Sequence, residues 1–301
     1  MRHIVKDIKE IFKQKIRDVC GVEKTERVLD TLYYFLNNSL DIREWPKATG
    51  NIRQLQLADA ELLRIFHDIC KKHNLVYWID FGTLLGAVRH KGFVPWDDDV
   101  DVCMPRKDYK MAEKIIPEEF AKIGYSVAIK RCIYIYHEKT GTAIDIFAMD
   151  SVDDIGDRDQ LIRHIKSFKT WLVKSNYGEK GDLHIAKEEM IGKASTNKPI
   201  YYTAPEQVTR IYVHRKEIIY PLKMLPFEDI ELYVPNNVDQ YLIEEFGNYM
   251  SFPRSGVLQH GKGDTKLFER AEKNHIDMDE YIEKLKTITI ASDIDDNDRE
   301  D

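Results

Sequence analysis

The run Asp97-Asp98-Asp99-Val100-Asp101 sets four carboxylates within five residues. In a strand, side chains two apart share a face, so Asp99 and Asp101 point the same way. Asp97 keeps their parity, while Asp98 points away if the strand begins that early. Like charges held this close are costly unless a cation sits between them. Val100, Val102 and Met104 alternate with the acids as buried positions would, which favours a half-buried strand over a solvated acidic turn. Magnesium suits such a set, because it takes oxygen ligands and usually retains waters; manganese is the natural substitute. Asp145, within Ala-Ile-Asp-Ile-Phe, is a charge in an otherwise apolar strand and is the expected third ligand. Asp97, Asp99, Asp101 and Asp145 are therefore the metal candidates, with Asp99, Asp101 and Asp145 the catalytic ones. Phosphoryl transfer needs this arrangement, with one or two cations neutralising the transferred phosphorus and polarising a hydroxyl.

Upstream, Gly82-Thr83 follows an apolar strand and opens a helix. Glycine lets backbone pass close to a ligand, and helix-start amides with a threonine hydroxyl can hold a phosphate. Standing alone, the pair would be an ordinary strand-to-helix turn. Arg89, His90 and Lys91 add positive charge next to it, and Arg89 could fork onto two phosphate oxygens. Lys91 could equally be solvated, and His90 is either a proton shuttle or a solvent-facing loop residue. Trp96 stands just before the acids. The short HGKGD piece at 260–264 is too brief for a Walker loop.

These residues need elements to carry them. Apolar positions mark helical segments in 1–48 (Ile8, Ile11, Ile16 and Val19, then Val28 to Leu40), broken by Trp45, Pro46 and Gly50. Helical spacing recurs from Gln54 to Lys72. Strands are predicted over 76–81, from about Asp99 to Met104, over 125–136 and over 142–148, with 137–141 a hairpin turn, so that Asp145 lies beside the first acidic strand. Further helices are expected at 107–121, 158–175, 239–246 and within 267–290. Short strands interrupted by Pro221 and Pro226 fill 211–235, 176–200 is polar and irregular, and the last nine residues are an acidic end.

The chain has 301 residues, 43% hydrophobic and 32% charged, as ordinary globular proteins do. Its 45 basic against 52 acidic residues give a formal charge of -7, which disfavours a bulk nucleic-acid binder. Cys20, Cys70, Cys103 and Cys132 are widely spaced, without a CxxC or Cys/His cluster, and read mostly as buried thiols in a reducing compartment, with disulfide pairing left open by spacing alone. With no apolar run of spanning length and no secretory leader, the expectation is a cytoplasmic protein. Peripheral association at the inner face of the cell membrane stays open.

The run FGTLLGAVRHKGFVPWDDDVDV resembles the signature of the LicD family, bacterial phosphorylcholine transferases related to fukutin and fukutin-related protein. AIDIFAMD at 143–150, YPLKMLPFEDIELYVP at 220–235 and LIEEFGNYMSFP at 242–253 extend the resemblance over roughly 55–260. It implies an α+β fold with a nucleotidyltransferase-like mixed sheet flanked by helices. The resemblance covers a catalytic domain at 55–260; outside its most specific motifs, the pattern of the chain predicts a helical extension at 1–54 packed on the core and a helical extension with an acidic tail at 261–301. The family's paired metal carboxylates fall on Asp99 and Asp101, its neighbouring acid on Asp145, and its glycine-plus-hydroxyl element on Gly82 and Thr83. The stretch between Gly82 and Asp99 is longer than in many nucleotidyltransferases, so Arg89 to Trp96 reads as substrate equipment.

The implied reaction is magnesium-dependent attack of a glycan hydroxyl on the choline-bearing phosphorus of CDP-choline, releasing CMP. A donor of ribitol phosphate or glycerol phosphate is the nearest alternative, and a non-catalytic nucleotide-binding protein the alternative of another class. The acceptor would be a cell-surface glycan such as teichoic acid or lipopolysaccharide. For choline recognition the aromatic candidates are Trp78, Trp96, Tyr134, Tyr136, Tyr201 and Tyr202, each of which could instead be core. Glu228 could be catalytic or structural, and Arg254 and His260 could meet phosphate or sugar.

Overall fold

The structure, a computed structural model, describes residues 22–152, 158–174, 201–203, 211, 213–253 and 269–290. The expectations for Ile8, Ile11, Ile16, Val19 and Cys20, for 176–200, for Arg254 and His260, and for the acidic end fall outside these residues.

Two compact units divide the chain at Trp45 and Pro46. In the first, helix α1 (Val22–Ser39) leads to a short 3-10 turn, Ile42–Glu44, whose preceding Asp41 side chain accepts the Arg43 amide. Residues 248–253 belong to the same unit: Phe252 packs edge-on against Trp45 with ring centroids 5.4 Å apart, and its amide donates to Asn37 Oδ1.

The second unit carries the sheet. Helix α2 (Asn51–Lys72) buries Leu55, Ala58, Leu62, Ile65, Phe66 and Ile69, the three-and-four spacing that makes one apolar face. There follow β1 (Trp78–Ile79), α3 (Phe81–His90), β2 (Asp101–Pro105), α4 (Arg106–Ala121), β3 (Ser126–Ile129), β4 (Ile133–Tyr136), β5 (Ala143–Val152) and α5 (Arg158–Lys174). Then come β6 (Tyr201–Thr203), β7 (His214–Arg215), α6 (Lys216–Ile219), β8 (Lys223–Phe227), β9 (Ile230–Val234), α7 (Val238–Phe246), α8 (Arg270–Lys273) and α9 (Met278–Lys286).

The mixed sheet runs β1-β2-β5-β4-β3, with β6 and β7 continuing from the far end of β5. Among the described strands only β2 and β5 pair in parallel, and their register sets Asp101 opposite Asp145. Val102, Cys103, Met104, Ile144, Ile146 and Met149 are buried, as the centre of a covered sheet requires. The hairpin β8–β9 is separate.

Three predicted boundaries shift. The strand predicted over 76–81 shrinks to Trp78–Ile79, because Asp80 caps a helix that already includes Phe81. The acidic strand begins at Asp101, not Asp99: the backbone at Asp97 is still turning, its amide donating to Val94 O at 2.9 Å. The strand predicted over 125–136 splits into β3 and β4 around a tight turn in which Lys130 N–H donates to Cys132 O. The C-terminal segment is integral to this unit. Arg64 donates to Leu285 O and Ile288 O, and Tyr281 and Tyr125 hydroxyls meet at 2.7 Å.

Candidate active site

The start of α3 is stapled to the head of β2. Asp80, fully buried, accepts the Phe81 amide at 2.8 Å and so caps the helix. Its backbone amide donates to Asp101 O, and Thr83 Oγ1 accepts the Asp101 amide at 2.9 Å. Phe81 takes a left-handed φ of 45°, a strained conformation held by this capping. Gly82 has a second requirement: a Cβ there would enter the space of the Asp97 carboxylate. The glycine turn therefore cradles the acidic loop, and the Thr83 hydroxyl oxygen is already engaged in holding β2.

Behind the cap lies a buried polar network. Tyr241 hydroxyl donates to Asp80 Oδ2 at 2.9 Å, and Trp78 Nε1 donates to the Tyr241 oxygen. The His214 ring stacks on Tyr241 with centroids 3.8 Å apart. Burial alone would lower the His214 pKa, but hydrogen bonds to Glu244 and Glu245 outweigh it and raise it to about 9. Trp78 is thereby a core residue and lines no ligand site.

The acidic loop is held from outside by Gln56, whose Nε2 donates to Val94 O and Asp97 O. Carboxylate oxygens of Asp97, Asp98 and Asp99 lie within 4.8 Å of one another. Asp98, expected to point away only if the strand began that early, is buried in this cluster, because the strand begins at Asp101 and its alternation does not govern the residues before it. Asp145 is brought alongside through its amide, which donates to Val100 O at 2.8 Å, and through its register with Asp101. Burial and then the charges of Asp99, Asp145 and Asp97 push the Asp101 carboxyl well above its ordinary range. A further carboxylate went unseen in the sequence. Asp59, on α2, accepts the Ala143 amide at 3.0 Å; burial raises its pKa, and Asp99 and Asp98 add to the rise. Only helical phase, which turns Asp59 inward with Leu62 and Leu63, could have signalled it. Crowded hard oxygens of this kind fit a magnesium or manganese ion, and the absent Gly82 side chain leaves room for the Asp97 carboxylate to join them.

On the basic side, Arg89 is only 5% exposed. Burial lowers its pKa to about 10, with Asp97 opposing. Its Nε donates to His90 Nε2 at 2.9 Å, and its guanidinium lies 5.8 Å from the Trp96 ring. Burial and then Arg89 push His90 down to about 4, so its ring is neutral near pH 7 and acts as an acceptor for Arg89. Lys91 is exposed, in a left-handed C-cap. Its carbonyl accepts the Glu228 amide at 2.9 Å. Glu228 meets Arg53 through two bonds of 2.8 Å and Lys47 at 2.7 Å, so it clamps the basic loop.

A cleft of about 550 Å3 opens beside the acids, lined by Asp99, Asp145, Tyr134 and the β3–β4 turn with Lys130 and Arg131. Tyr134 is the direct cross-strand neighbour of Asp145 and stacks on Tyr136. Tyr202 instead packs against Tyr220. Of Tyr201 only the strand position, opposite Arg215, is described. No described helix is long and apolar enough to cross a membrane.

Comparison with known proteins matches residues 74–175 to the profile described as LicD/FKTN/FKRP, nucleotidyltransferase domain. An uncharacterized protein of Rickettsia prowazekii is 40% identical over 87 residues, 29% of this chain and 31% of that protein. The lipopolysaccharide cholinephosphotransferase LicD of Haemophilus influenzae is 48% identical over 59 residues, 20% of this chain and 22% of that protein. An uncharacterized protein of Rickettsia typhi is 36% identical over 120 residues, 37% and 38% of the two chains. The chain thus spans well under half the length of these relatives.

Proposed function

We propose that this chain, whose residues 74–175 match the LicD/FKTN/FKRP nucleotidyltransferase domain, is a LicD-type enzyme that transfers phosphocholine from CDP-choline to a glycan hydroxyl, releasing CMP. The observation that carries the reading is the gathering of Asp97, Asp98 and Asp99 oxygens next to the Asp101–Asp145 strand pair. The Haemophilus relative, named for lipopolysaccharide and choline phosphate, supports a lipopolysaccharide-type acceptor.

Asp97, Asp98 and Asp99, with Asp101 and Asp145 behind them, would hold the divalent cation. Bound magnesium would neutralise the diphosphate and the developing charge on the transferred phosphorus. Asp145 orients the acceptor hydroxyl and takes its proton as the new oxygen–phosphorus bond forms. The bond that breaks joins the choline-bearing phosphorus to the bridging oxygen, whose electron pair leaves with CMP. Arg89, kept in place by His90 and Trp96, offers a fixed guanidinium to the departing phosphate. Thr83 and Gly82 set the distance between the helix start and the acids.

The test incubates purified protein with lipopolysaccharide and CDP-choline, CDP-ribitol or CDP-glycerol, with and without magnesium, and measures CMP. Magnesium-dependent release from CDP-choline is the expected result. Release from the ribitol or glycerol donor alone would sink the choline assignment. Nucleotide binding without any CMP release would make the chain a non-catalytic binder.

A further inference from the structure

Choline carries a permanent positive charge and no N–H, so a receptor must meet it with an aromatic face or with carboxylates. In phosphocholine the ammonium stands only an oxygen and two carbons from phosphorus. A choline subsite therefore has to adjoin the acids that surround the phosphorus. The structure removes three of the six aromatic candidates. Trp78 is fully buried with its indole N–H on Tyr241. Trp96 already faces the Arg89 guanidinium, and Tyr202 is packed against Tyr220.

Tyr134 meets the requirement. It is directly opposite Asp145 across the antiparallel β4–β5 pair, where facing residues hold their Cβ atoms about 5 Å apart. Its side chain lines the same cleft as Asp145 and Asp99. Val100, Ala128 and Ala143 contribute small apolar surfaces there, which suit methyl groups and offer little to a polyol. Stacking on Tyr136, at 5.0 Å and 12° between ring planes, fixes the orientation of the Tyr134 ring. Lys130 and Arg131, on the turn before β4, give the cleft cationic groups suited to phosphate oxygens.

We propose that Tyr134 forms the quaternary-ammonium subsite and is the residue that selects choline over other alcohols of the donor. This inference rests on the phosphocholine-transfer reading above. It assigns a specificity role to a ring outside the acidic loop, through its face and not its hydroxyl.

Calorimetric titration of the full chain with phosphocholine and with phosphoethanolamine, in magnesium, tests it. Wild-type protein is expected to prefer phosphocholine by roughly 10-fold, Tyr134→Phe to keep that preference, and Tyr134→Leu to lose it. Equal affinities in the wild type, undetectable phosphocholine binding, a preference that survives in Tyr134→Leu, or equal weakening of both ligands would each overturn the assignment. Should Tyr134→Leu fail to fold, competition decides: tetramethylammonium must displace phosphocholine from the wild type, and failure to do so overturns it. Absence of CMP release from every donor would defeat the transfer reaction while leaving the binding preference to be read. Normal CMP release with no preference between the two phosphoamines would defeat the Tyr134 subsite alone.

Discussion

Glu228 and the acidic loop are two ways of keeping carboxylates out of solvent, and they behave oppositely. Burial would raise the Glu228 pKa, but the bonds from Arg53 and Lys47 prevail and hold it at about 2. Beside the loop, at the head of β2, Asp101 is driven up by burial and by the neighbouring carboxylates of Asp99, Asp145 and Asp97. A carboxylate answered by cations of its own chain is structural. Carboxylates that crowd one another would, on the proposed reading, take a divalent cation from outside.

The largest effect that would break this contrast is on turnover. Asp99→Asn should lower CMP release roughly 1000-fold, the scale of losing a principal electrostatic group at a transferring centre. The same substitution should raise the melting temperature of the cation-free protein, since it relieves repulsion. A fall would mean that Asp99 is structural in the way Glu228 is. Gly82→Ala should cost roughly 100-fold in CMP release, because its Cβ displaces the Asp97 carboxylate. Unchanged kinetics would show that Asp97 stands apart from the chemistry.

Glu228→Gln should destabilise the fold by about 2 kcal/mol in urea titrations, by stripping charge-assisted bonds from Arg53 and Lys47. Its pH signature follows from the direction of the shift. A pKa held at about 2 against an ordinary 4.5 contributes stability in full above pH 4.5. That contribution drains away as pH falls from 4.5 towards 2, so the variant should lose less stability than wild type across that window. A parallel decline in both proteins would remove Glu228 from the account. The smallest effect belongs to Tyr241→Phe, which deletes the hydroxyl between Trp78 and Asp80. About 1 kcal/mol of stability should be lost, read from the urea midpoint, with a modest fall in CMP release.

Local pattern made part of this legible. Alternation in Ala-Ile-Asp-Ile-Phe placed Asp145 on a strand, and the turn at 137–141 pairs that strand with β4, while parallel pairing on its other edge sets it next to β2. Helical spacing identified α2, α4 and α7 because their apolar faces recur within a few residues. What escaped depends on distant partners. The role of Glu228 is decided by Arg53 and Lys47, which lie far earlier in the chain. The place of Asp98 depends on where the strand begins, and ahead of Asp101 it is Gln56 and Val94, not alternation, that shape the loop. Trp78 sits beside the key residues in sequence, yet its partner is Tyr241 on α7. Its neighbourhood in the chain said little about its neighbourhood in space.

The central claim is that the Asp97–Asp99 loop and the Asp101–Asp145 pair hold a divalent cation. Direct titration of manganese into wild-type protein and the Asp99→Asn variant tests it. Saturable binding by the wild type, weakened at least 10-fold in the variant, is the predicted result. Equal binding by the two proteins, or none by the wild type with CDP-choline present, would contradict it.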